Sequence, residues 1–204
     1  IQLANTAGAH AIGVISDESK RDFVMSLGAK GVLNRNDFNC WGQLPKVNGP
    51  EFGDYMKECR KFGKAIWEIT GKGNDVDMVF EHPGEMTFPV SCFVTKRGGM
   101  VVICAGTTGF NLTFDARFVW MRQKRIQGSH FANLMQASAA NKLMLERRID
   151  PCMSEVFAWD EIPLAHEKML DNQHKPGNMA VLVNACEPGL RTIEDAMEAS
   201  KARH

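Results

Sequence analysis

The predicted fold depends most on residues 98–109, which read Gly-Gly-Met-Val-Val-Ile-Cys-Ala-Gly-Thr-Thr-Gly. Residues 100–104 form a continuous apolar run, which is typical of a strand covered on both faces in a parallel sheet. Small residues and glycines follow the run at once, and a glycine lets the backbone come close to a ligand. The stretch therefore predicts a buried strand with a candidate binding loop at its carboxyl end.

Strand-like and helix-like segments alternate along the chain before this stretch. The apolar runs that predict strands are residues 10–16, 31–34, 76–80 and 99–104. The segments with apolar residues at helical spacing are residues 18–27, 51–71 and 87–95. This alternation implies parallel strands joined by helices on both faces. The predicted fold class is therefore α/β, with a doubly wound, Rossmann-like parallel sheet.

The second half of the chain changes character after Pro151. Before it, the pattern predicts a helix near residues 116–123, an edge strand at 125–131 and a helix at 134–148. After it, residues 152–159, a helix at 161–172 and a strand at 179–183 indicate a return to a second lobe. We therefore predict a partial cofactor-binding domain (residues 1–148), a returning segment of the substrate lobe (149–186) and a polar tail (187–204), helical over 193–203.

The first residues have the pattern of a helix that has already begun. Residues 1–9 carry no capping residue and no initiator Met, and Gly8 is placed to close the helix at its carboxyl end. We therefore expect the chain to be cut from a longer one.

Composition narrows the class of function. The chain has 204 residues, of which 44% are hydrophobic, and its formal net charge is zero. A neutral chain offers no field that would attract nucleic acid or an anionic membrane. It also has no run of about 20 apolar residues, no leader pattern and no paired CxxC spacing. These features predict a cytoplasmic globular protein whose six cysteines are free thiols.

Ligands of a doubly wound sheet lie at the carboxyl ends of the strands, so the loops there hold the candidate binding residues. Ser16 and Lys20 follow the first visible strand, and a hydroxyl with a cation suits the 2′-phosphate of NADPH better than an acidic residue does. Asp17 and Glu18 would repel that phosphate if they pointed inward. In the alternative interpretation, Asp17 or Ser19 caps the helix and Lys20 is simply solvated.

Three further loops carry candidate cofactor contacts. Arg35 follows the second strand, where a planar guanidinium suits an adenine or a phosphate, although it is equally typical of a surface arginine. His82 lies in a glycine-bearing loop after the strand at 76–80. Ala105, Gly106 and Thr107 follow the most apolar strand and suit the nicotinamide end, although an ordinary strand-to-helix turn has the same composition.

His130 is the candidate catalytic residue, because a histidine at the end of a predicted strand can donate a hydrogen bond or a proton inside a cleft. A structural histidine is the alternative. The sequence contains no HExxH, no GxSxG and no Cys/His spacing suited to zinc. We therefore predict no metal site and no hydrolase.

Several segments resemble the medium-chain dehydrogenase/reductases, and more narrowly the crotonyl-CoA carboxylase/reductase branch. They are residues 98–109, Phe-Glu-His-Pro-Gly at 80–84, Gly-Ser-His-Phe-Ala-Asn at 128–133, Gly-Asn-Met-Ala-Val-Leu at 177–182 and the insertion at 48–67. The resemblance covers nearly the whole chain up to Asn184. It implies hydride transfer from NADPH to crotonyl-CoA, followed by attack of the enolate on carbon dioxide to form ethylmalonyl-CoA.

The resemblance also implies roles and partners. His130 would help hold carbon dioxide near the enolate, Ser16 and Lys20 would meet the 2′-phosphate, and the loops at His82 and at residues 105–107 would border the nicotinamide. It implies no catalytic metal and a homodimer or homotetramer built by pairing edge strands of the cofactor sheets.

The chain departs from the family at its start, where members carry a strand and a glycine-rich turn that hold the pyrophosphate. The resemblance implies that this strand is central, so we expect a sheet that is incomplete at its N-terminus. Without them, we expect residues 1–204 alone to bind NADPH weakly and to reduce nothing. Two alternatives remain open at this point. One is an enoyl-CoA or acryloyl-CoA reductase that does not carboxylate, and the other is a non-catalytic module for oligomerisation.

Overall fold

The computed structural model describes residues 1–185 together with Glu198 and Lys201. Its helices are α1 (Gln2–Thr6), α2 (Arg21–Ser26), α3 (Phe52–Thr70), α4 (Phe88–Val94), α5 (Ala116–Trp120), α6 (Leu134–Leu145) and α7 (Ile162–Leu170). Its strands are β1 (Ile12–Ile15), β2 (Gly31–Asn34), β3 (Val76–Glu81), β4 (Thr95–Ile103), β5 (Arg125–Gly128), β6 (Met153–Phe157) and β7 (Asn178–Val181). The chain forms two compact units: residues 11–131, and residues 1–10 with 132–204.

All strands of the unit at residues 11–131 pair in parallel, which confirms the predicted α/β class. β1 pairs with β2, and β4 lies between β3 and β5, with Met100 opposite both Met78 and Arg125. Within the described residues, no strand pairs with the free edges of β1 and β3. Side chains beside these edges are open, with Val14 52% and Phe80 68% exposed. This arrangement fits the predicted sheet that lacks a central strand.

One hydrophobic core nevertheless holds the two sheet pieces together. The buried face of α3 contributes Met56, Cys59, Phe62 and Ile66, and α4 contributes Val90 and Val94. Ile12 of β1, Leu33 of β2 and Val76 and Val79 of β3 pack against the same cluster. Fully burying an aliphatic or aromatic side chain contributes about 1.5–3 kcal/mol, so this cluster is a main source of stability.

The loop between β2 and α3 is anchored to this core by aromatic contacts. Phe62 meets the rings of Phe38 and Trp41 edge to face, with centroids 5.0 and 5.2 Å apart. The Trp41 indole donates to the carbonyl of Arg35 at 2.7 Å. The loop has one 3-10 turn, Arg35–Asp37, directly after β2.

Several boundaries differ from the sequence prediction for local reasons. Residues 18–27 form a 3-10 turn, Glu18–Lys20, before α2 begins. β4 begins at Thr95 rather than 99, because Thr95 already pairs with Val76 across an irregular register. β5 ends at Gly128 rather than 131, since Phe131 has a left-handed φ of 51° that a strand does not accept.

The second unit contains a two-stranded parallel sheet, β6 with β7, together with α1, α6 and α7. The side chain of Gln2 ties the first helix to this unit by donating to the Asp150 carbonyl at 2.9 Å and accepting from the Asp150 amide at 2.6 Å. The helix predicted at 193–203 lies outside the described residues apart from Glu198 and Lys201, which are helical and exposed. The division of function at residues 148 and 186 stays a prediction.

Among the residues described, no helix is long and apolar enough to cross a bilayer. The cysteines within residues 1–185, namely Cys40, Cys59, Cys92, Cys104 and Cys152, are free thiols, as predicted.

Candidate functional site

Every predicted site residue in the unit at residues 11–131 lies just past the carboxyl end of a parallel strand. Ser16 follows β1, Arg35 follows β2 and His82 follows β3. Residues 105–107 follow β4, and His130 comes two residues after β5. Parallel strands end at the same edge of their sheet, so this edge is where a ligand is expected.

The loops after β3 and β4, residues 82–86 and 104–109, are bonded to each other through their backbones. We call them the paired loops. The amides of Thr107 and Thr108 donate to the carbonyls of His82 and Pro83 at 3.3 and 2.7 Å. The Thr108 hydroxyl also donates to Pro83, at 2.7 Å, and accepts from the Met86 amide at 3.2 Å. His82, Ala105 and Thr107 are thereby brought together, with exposed side chains.

Glycine is required where the paired loops meet. Gly84 has a φ of 93°, and a Cβ there would lie 2.5 Å from the Gly109 carbonyl oxygen. A Cβ on Gly106 would lie 2.8 Å from the ring of Phe110. Both distances are shorter than any ordinary contact, so the loops form a close backbone surface with no room for side chains between them.

The other predicted residues are linked to this surface by a chain of hydrogen bonds. The Asn36 side chain donates to the Ser16 carbonyl at 2.8 Å, which joins the ends of β1 and β2. The loop that follows Arg35 reaches the paired loops, where the Gly42 amide donates to the Met86 carbonyl at 2.7 Å. At the other side, the Ser129 amide donates to the Ile103 carbonyl at 2.8 Å, which ties the segment before His130 to the end of β4.

The acidic residues beside Lys20 have partners of their own. Asp17 caps the short turn by accepting from the Ser19 amide at 2.9 Å, and this hydrogen bond lowers the pKa of its carboxyl group. Glu18 pairs with Arg21, and the hydrogen bonds from this guanidinium lower the pKa of Glu18 below its usual value. The capping proposed as the alternative is therefore correct for Asp17. Lys20 is exposed at the end of the turn.

Arg35 and His130 are exposed, as both the functional and the structural interpretations allow. The backbone of Arg35 is fixed by Trp41, while its guanidinium faces solvent. The ring of His130 lies against Phe131, with centroids 3.9 Å apart.

Sequence reasoning missed Glu81, the last residue of β3, whose side chain is only 2% exposed. It accepts hydrogen bonds from the Gly84 amide at 3.0 Å, from the Thr87 hydroxyl at 2.5 Å and from the Ser91 hydroxyl. The signal in the sequence was an acidic residue ending an apolar strand, followed by hydroxyl residues six and ten positions later.

Comparison with known proteins identifies the family. Residues 1–146 match the family described as zinc-binding dehydrogenase. The chain belongs to this family. The predicted resemblance to medium-chain dehydrogenase/reductases is thus confirmed. The zinc in the family name has no counterpart in the described part of this dehydrogenase chain, where no group of three or more His, Cys, Asp or Glu residues is arranged to hold a metal.

Similar proteins within this dehydrogenase family are carboxylase/reductases. A crotonyl-CoA carboxylase/reductase of Cereibacter sphaeroides is 76% identical over 201 residues, which are 98% of this chain and 47% of that protein. The solved crotonyl-CoA carboxylase/reductase AntE in complex with NADP is 45% identical, with a TM-score of 0.86 over 91% of this chain and 46% of that one.

A third similar protein is named for a different enoyl-CoA. The structure of the 2-octenoyl-CoA carboxylase reductase CinF with NADP and 2-octenoyl-CoA is 33% identical, with a TM-score of 0.80 over 98% of this chain and 43% of that one. The present chain therefore spans a little under half the length of the proteins that it matches.

Proposed function

We propose that this chain is the NADPH-binding half of a crotonyl-CoA carboxylase/reductase. The observation that carries the proposal is the backbone surface of the paired loops at the carboxyl ends of β3 and β4. Gly84 meets the backbone of Gly106 and Gly109 directly, and such a close backbone surface suits contact with a flat nicotinamide ring. The similar proteins AntE and CinF, which were solved with NADP, support the choice of cofactor.

The proposed reaction is a reduction coupled to a carboxylation. NADPH supplies a hydride to the β-carbon of crotonyl-CoA, and the electron pair of the double bond moves to the α-carbon as an enolate. The α-carbon then bonds to carbon dioxide, giving the carboxylate of ethylmalonyl-CoA and leaving NADP⁺. Without carbon dioxide, the α-carbon takes a proton and the product is butyryl-CoA. In this role the protein would fix carbon dioxide in the ethylmalonyl-CoA pathway.

The chain's residues would divide the binding of the cofactor between them. The Ser16 hydroxyl and the Lys20 ammonium would hold the 2′-phosphate, helped by the engagement of Asp17 and Glu18 in other bonds. Arg35 would lie beside the adenine or its phosphate. The paired loops, with His82 and residues 105–107 at their rim, would border the nicotinamide.

The proposed reaction is tested with the full-length protein that carries this chain, supplied with crotonyl-CoA, NADPH and bicarbonate. The expected product is ethylmalonyl-CoA, formed with consumption of one NADPH per molecule. If butyryl-CoA is the only product at saturating bicarbonate, the carboxylase half of the proposal is wrong. If NADPH is not oxidised at all, the reductase half fails as well.

A reductase without carboxylation is the second candidate, because the contact between His130 and Phe131 also fits a structural histidine. The replacement His130→Asn separates the two. In a carboxylase, loss of the imidazole shifts the product ratio towards butyryl-CoA, while the rate of NADPH oxidation falls less. The exposed His10, replaced in the same way, is the matched control. An unchanged ratio in His130→Asn favours the simple reductase.

We also propose a cytoplasmic homodimer or homotetramer that pairs its cofactor sheets through β5, whose four residues are exposed. An exposed strand edge offers unpaired backbone groups to a second copy. Light scattering of the full-length protein is expected to give two or four copies. If the chain self-associates but neither it nor the full-length protein binds NADPH, a non-catalytic assembly module replaces the enzyme.

A further inference from the structure

Glu81 is a buried carboxylate that the proposed function does not use. It ends β3 and lies beneath the paired loops with 2% of its surface exposed. A buried carboxylate is tolerated when donors surround it, and Glu81 has three of them. The fold therefore keeps an acidic side chain at a place where an apolar one would be buried more easily.

The two carboxylate oxygens of Glu81 hold different elements. Oε1 accepts from the Gly84 amide at 3.0 Å, in the turn that carries His82, and from the Thr87 hydroxyl at 2.5 Å, at the residue that joins this turn to α4. Oε2 accepts from the Ser91 hydroxyl, one turn into α4. Oε1 thus fixes the first of the paired loops, while Oε2 fixes the helix that follows it.

The main chain of Glu81 reaches the second of the paired loops. Its carbonyl accepts from the Cys104 amide at 3.1 Å, the first hydrogen bond beyond the β3–β4 pairing. From there the two loops continue side by side, through the bonds of Thr107 and Thr108 to His82 and Pro83. Glu81 therefore contacts the first loop through its side chain and the second through its main-chain carbonyl.

The fit between the loops leaves little tolerance for movement. Gly84 approaches the carbonyl of Gly109 so closely that not even a methyl group would fit between them. A shift of the turn by a fraction of an ångström would change the contacts between His82 and residues 105–107. The position of the turn is held by the bonds of Thr107 and Thr108 to His82 and Pro83 and, from the β3 side, by the bond of the Gly84 amide to Oε1 of Glu81.

We propose that Glu81 is a positioning residue for the nicotinamide end of the cofactor site, acting through Oε1 on the turn at residues 82–86. The inference rests on the proposed function only in assigning the paired loops to NADPH. Its effect on the geometry of those loops is independent of any cofactor.

Four variants of the full-length protein test this role. Glu81→Leu removes both acceptor oxygens and Thr87→Val removes one donor to Oε1. Ser91→Ala removes the bond to Oε2 alone and serves as the matched control. Glu81→Gln is the conservative variant, because its carbonyl oxygen replaces Oε1 and its amide can donate to the Ser91 hydroxyl.

Two measurements are made on each variant: hydrogen exchange of the segments 82–86 and 104–109 without cofactor, and the dissociation constant of NADPH by fluorescence titration. In Glu81→Leu we expect faster exchange in both segments and NADPH binding weakened about tenfold, and in Thr87→Val about threefold. Glu81→Gln is expected to stay within about twofold of wild type, as is Ser91→Ala, although Ser91→Ala lowers Tm.

A merely structural Glu81 would give a different pattern. In that case Glu81→Leu and Ser91→Ala would both lower Tm and leave NADPH affinity and loop exchange unchanged, and this result overturns the proposal. Should Glu81→Leu fail to fold, unchanged loop exchange in Thr87→Val overturns it equally. If the wild-type protein does not bind NADPH, the proposed function fails, and faster loop exchange in Glu81→Leu still supports the positioning role.

Discussion

At the carboxyl ends of β3 and β4 the candidate site is shaped by contacts between backbones, whereas at the ends of β1 and β2 it depends on exposed side chains. The paired loops meet through main-chain hydrogen bonds and a glycine contact that excludes any Cβ. The side chains of Ser16, Lys20 and Arg35 are exposed, while the backbone carbonyls of Ser16 and Arg35 accept hydrogen bonds from the Asn36 and Trp41 side chains.

If the proposed function holds, the two ends of the dinucleotide would be recognised by different physics. The hydrogen-bonded paired loops would offer the flat nicotinamide ring a surface of defined shape. The exposed Lys20 and Arg35 would offer the phosphate end positive charge. Substitutions near β3 and β4 should therefore act through geometry, and those near β1 and β2 through charge.

The largest effect is expected for Gly84→Ala. The added Cβ would lie 2.5 Å from the Gly109 carbonyl at a φ of 93°, so the paired loops must separate. We expect the free energy of unfolding to fall by about 2–4 kcal/mol. We also expect NADPH binding to weaken by more than about tenfold. Urea unfolding and fluorescence titration of the full-length protein measure the two.

Gly73→Ala is the matched control for this prediction. Gly73 also has a positive φ, 85°, but a Cβ there meets nothing within 4 Å. It should lose about 1–2 kcal/mol from backbone strain alone and keep its affinity for NADPH. Equal losses of affinity in the two variants would contradict the account of the paired loops.

The next effect is expected for Lys20→Ala, which tests the charged end of the comparison. Loss of one cation at the 2′-phosphate should weaken NADPH binding about tenfold, with NADH binding almost unchanged and with little change in Tm. Lys30→Ala removes another exposed lysine, before β2 rather than after β1, and should leave both affinities as they are. If Lys20→Ala weakened the binding of NADPH and NADH by the same factor, Lys20 would not bind the 2′-phosphate.

The sequence located most elements of the fold. The run at residues 100–104 and the alternation around it fixed the class and parallel pairing, because periodicity and burial are local properties. The predicted boundaries were wrong for two different reasons. Thr95 joins β4 because it pairs with Val76 of the neighbouring strand, and Phe131 lies outside β5 because its own backbone is left-handed. The break between β1 and β3 was foreseen only from the resemblance.

The sequence predicted which residues follow the strands, but not the contacts between them. Each residue was placed after a strand, which follows from the fold class alone. The bonds between Thr107 and His82 join positions 25 residues apart and depend on the register of β3 against β4. Glu81 was missed for a related reason, since its three donors assemble only when the turn and α4 fold over it.

The smallest effect on the cofactor is expected for Lys124, which lies before β5. Its ammonium group is buried and donates to the carbonyls of Cys92 and Phe93 at 2.6 and 3.1 Å. Burial lowers the pKa of Lys124 from 10.5 to about 8. Between these values the unfolded chain keeps a proton that the folded protein releases, so this lysine makes the fold more stable as the pH rises through that window.

Lys124→Met removes this contribution. Relative to the variant, the wild type should gain on the order of 1–3 kcal/mol in free energy of unfolding between pH 8 and pH 10.5, as measured by urea unfolding at each pH. The exposed Lys64, replaced by Met, is the control. NADPH affinity should not change in either variant. A loss of affinity in Lys124→Met would contradict the claim that only the carboxyl ends of the strands bind the cofactor.

The central claim is that the carboxyl ends of these parallel strands form the cofactor cradle, and hydrogen exchange of the full-length protein with and without NADPH tests it most directly. We expect NADPH to slow exchange in the segments 16–21, 82–86 and 104–109, and to leave the segment 71–75, at the amino end of β3, unchanged. Slower exchange confined to residues 71–75, or no change in the three segments at saturating NADPH, would contradict the account.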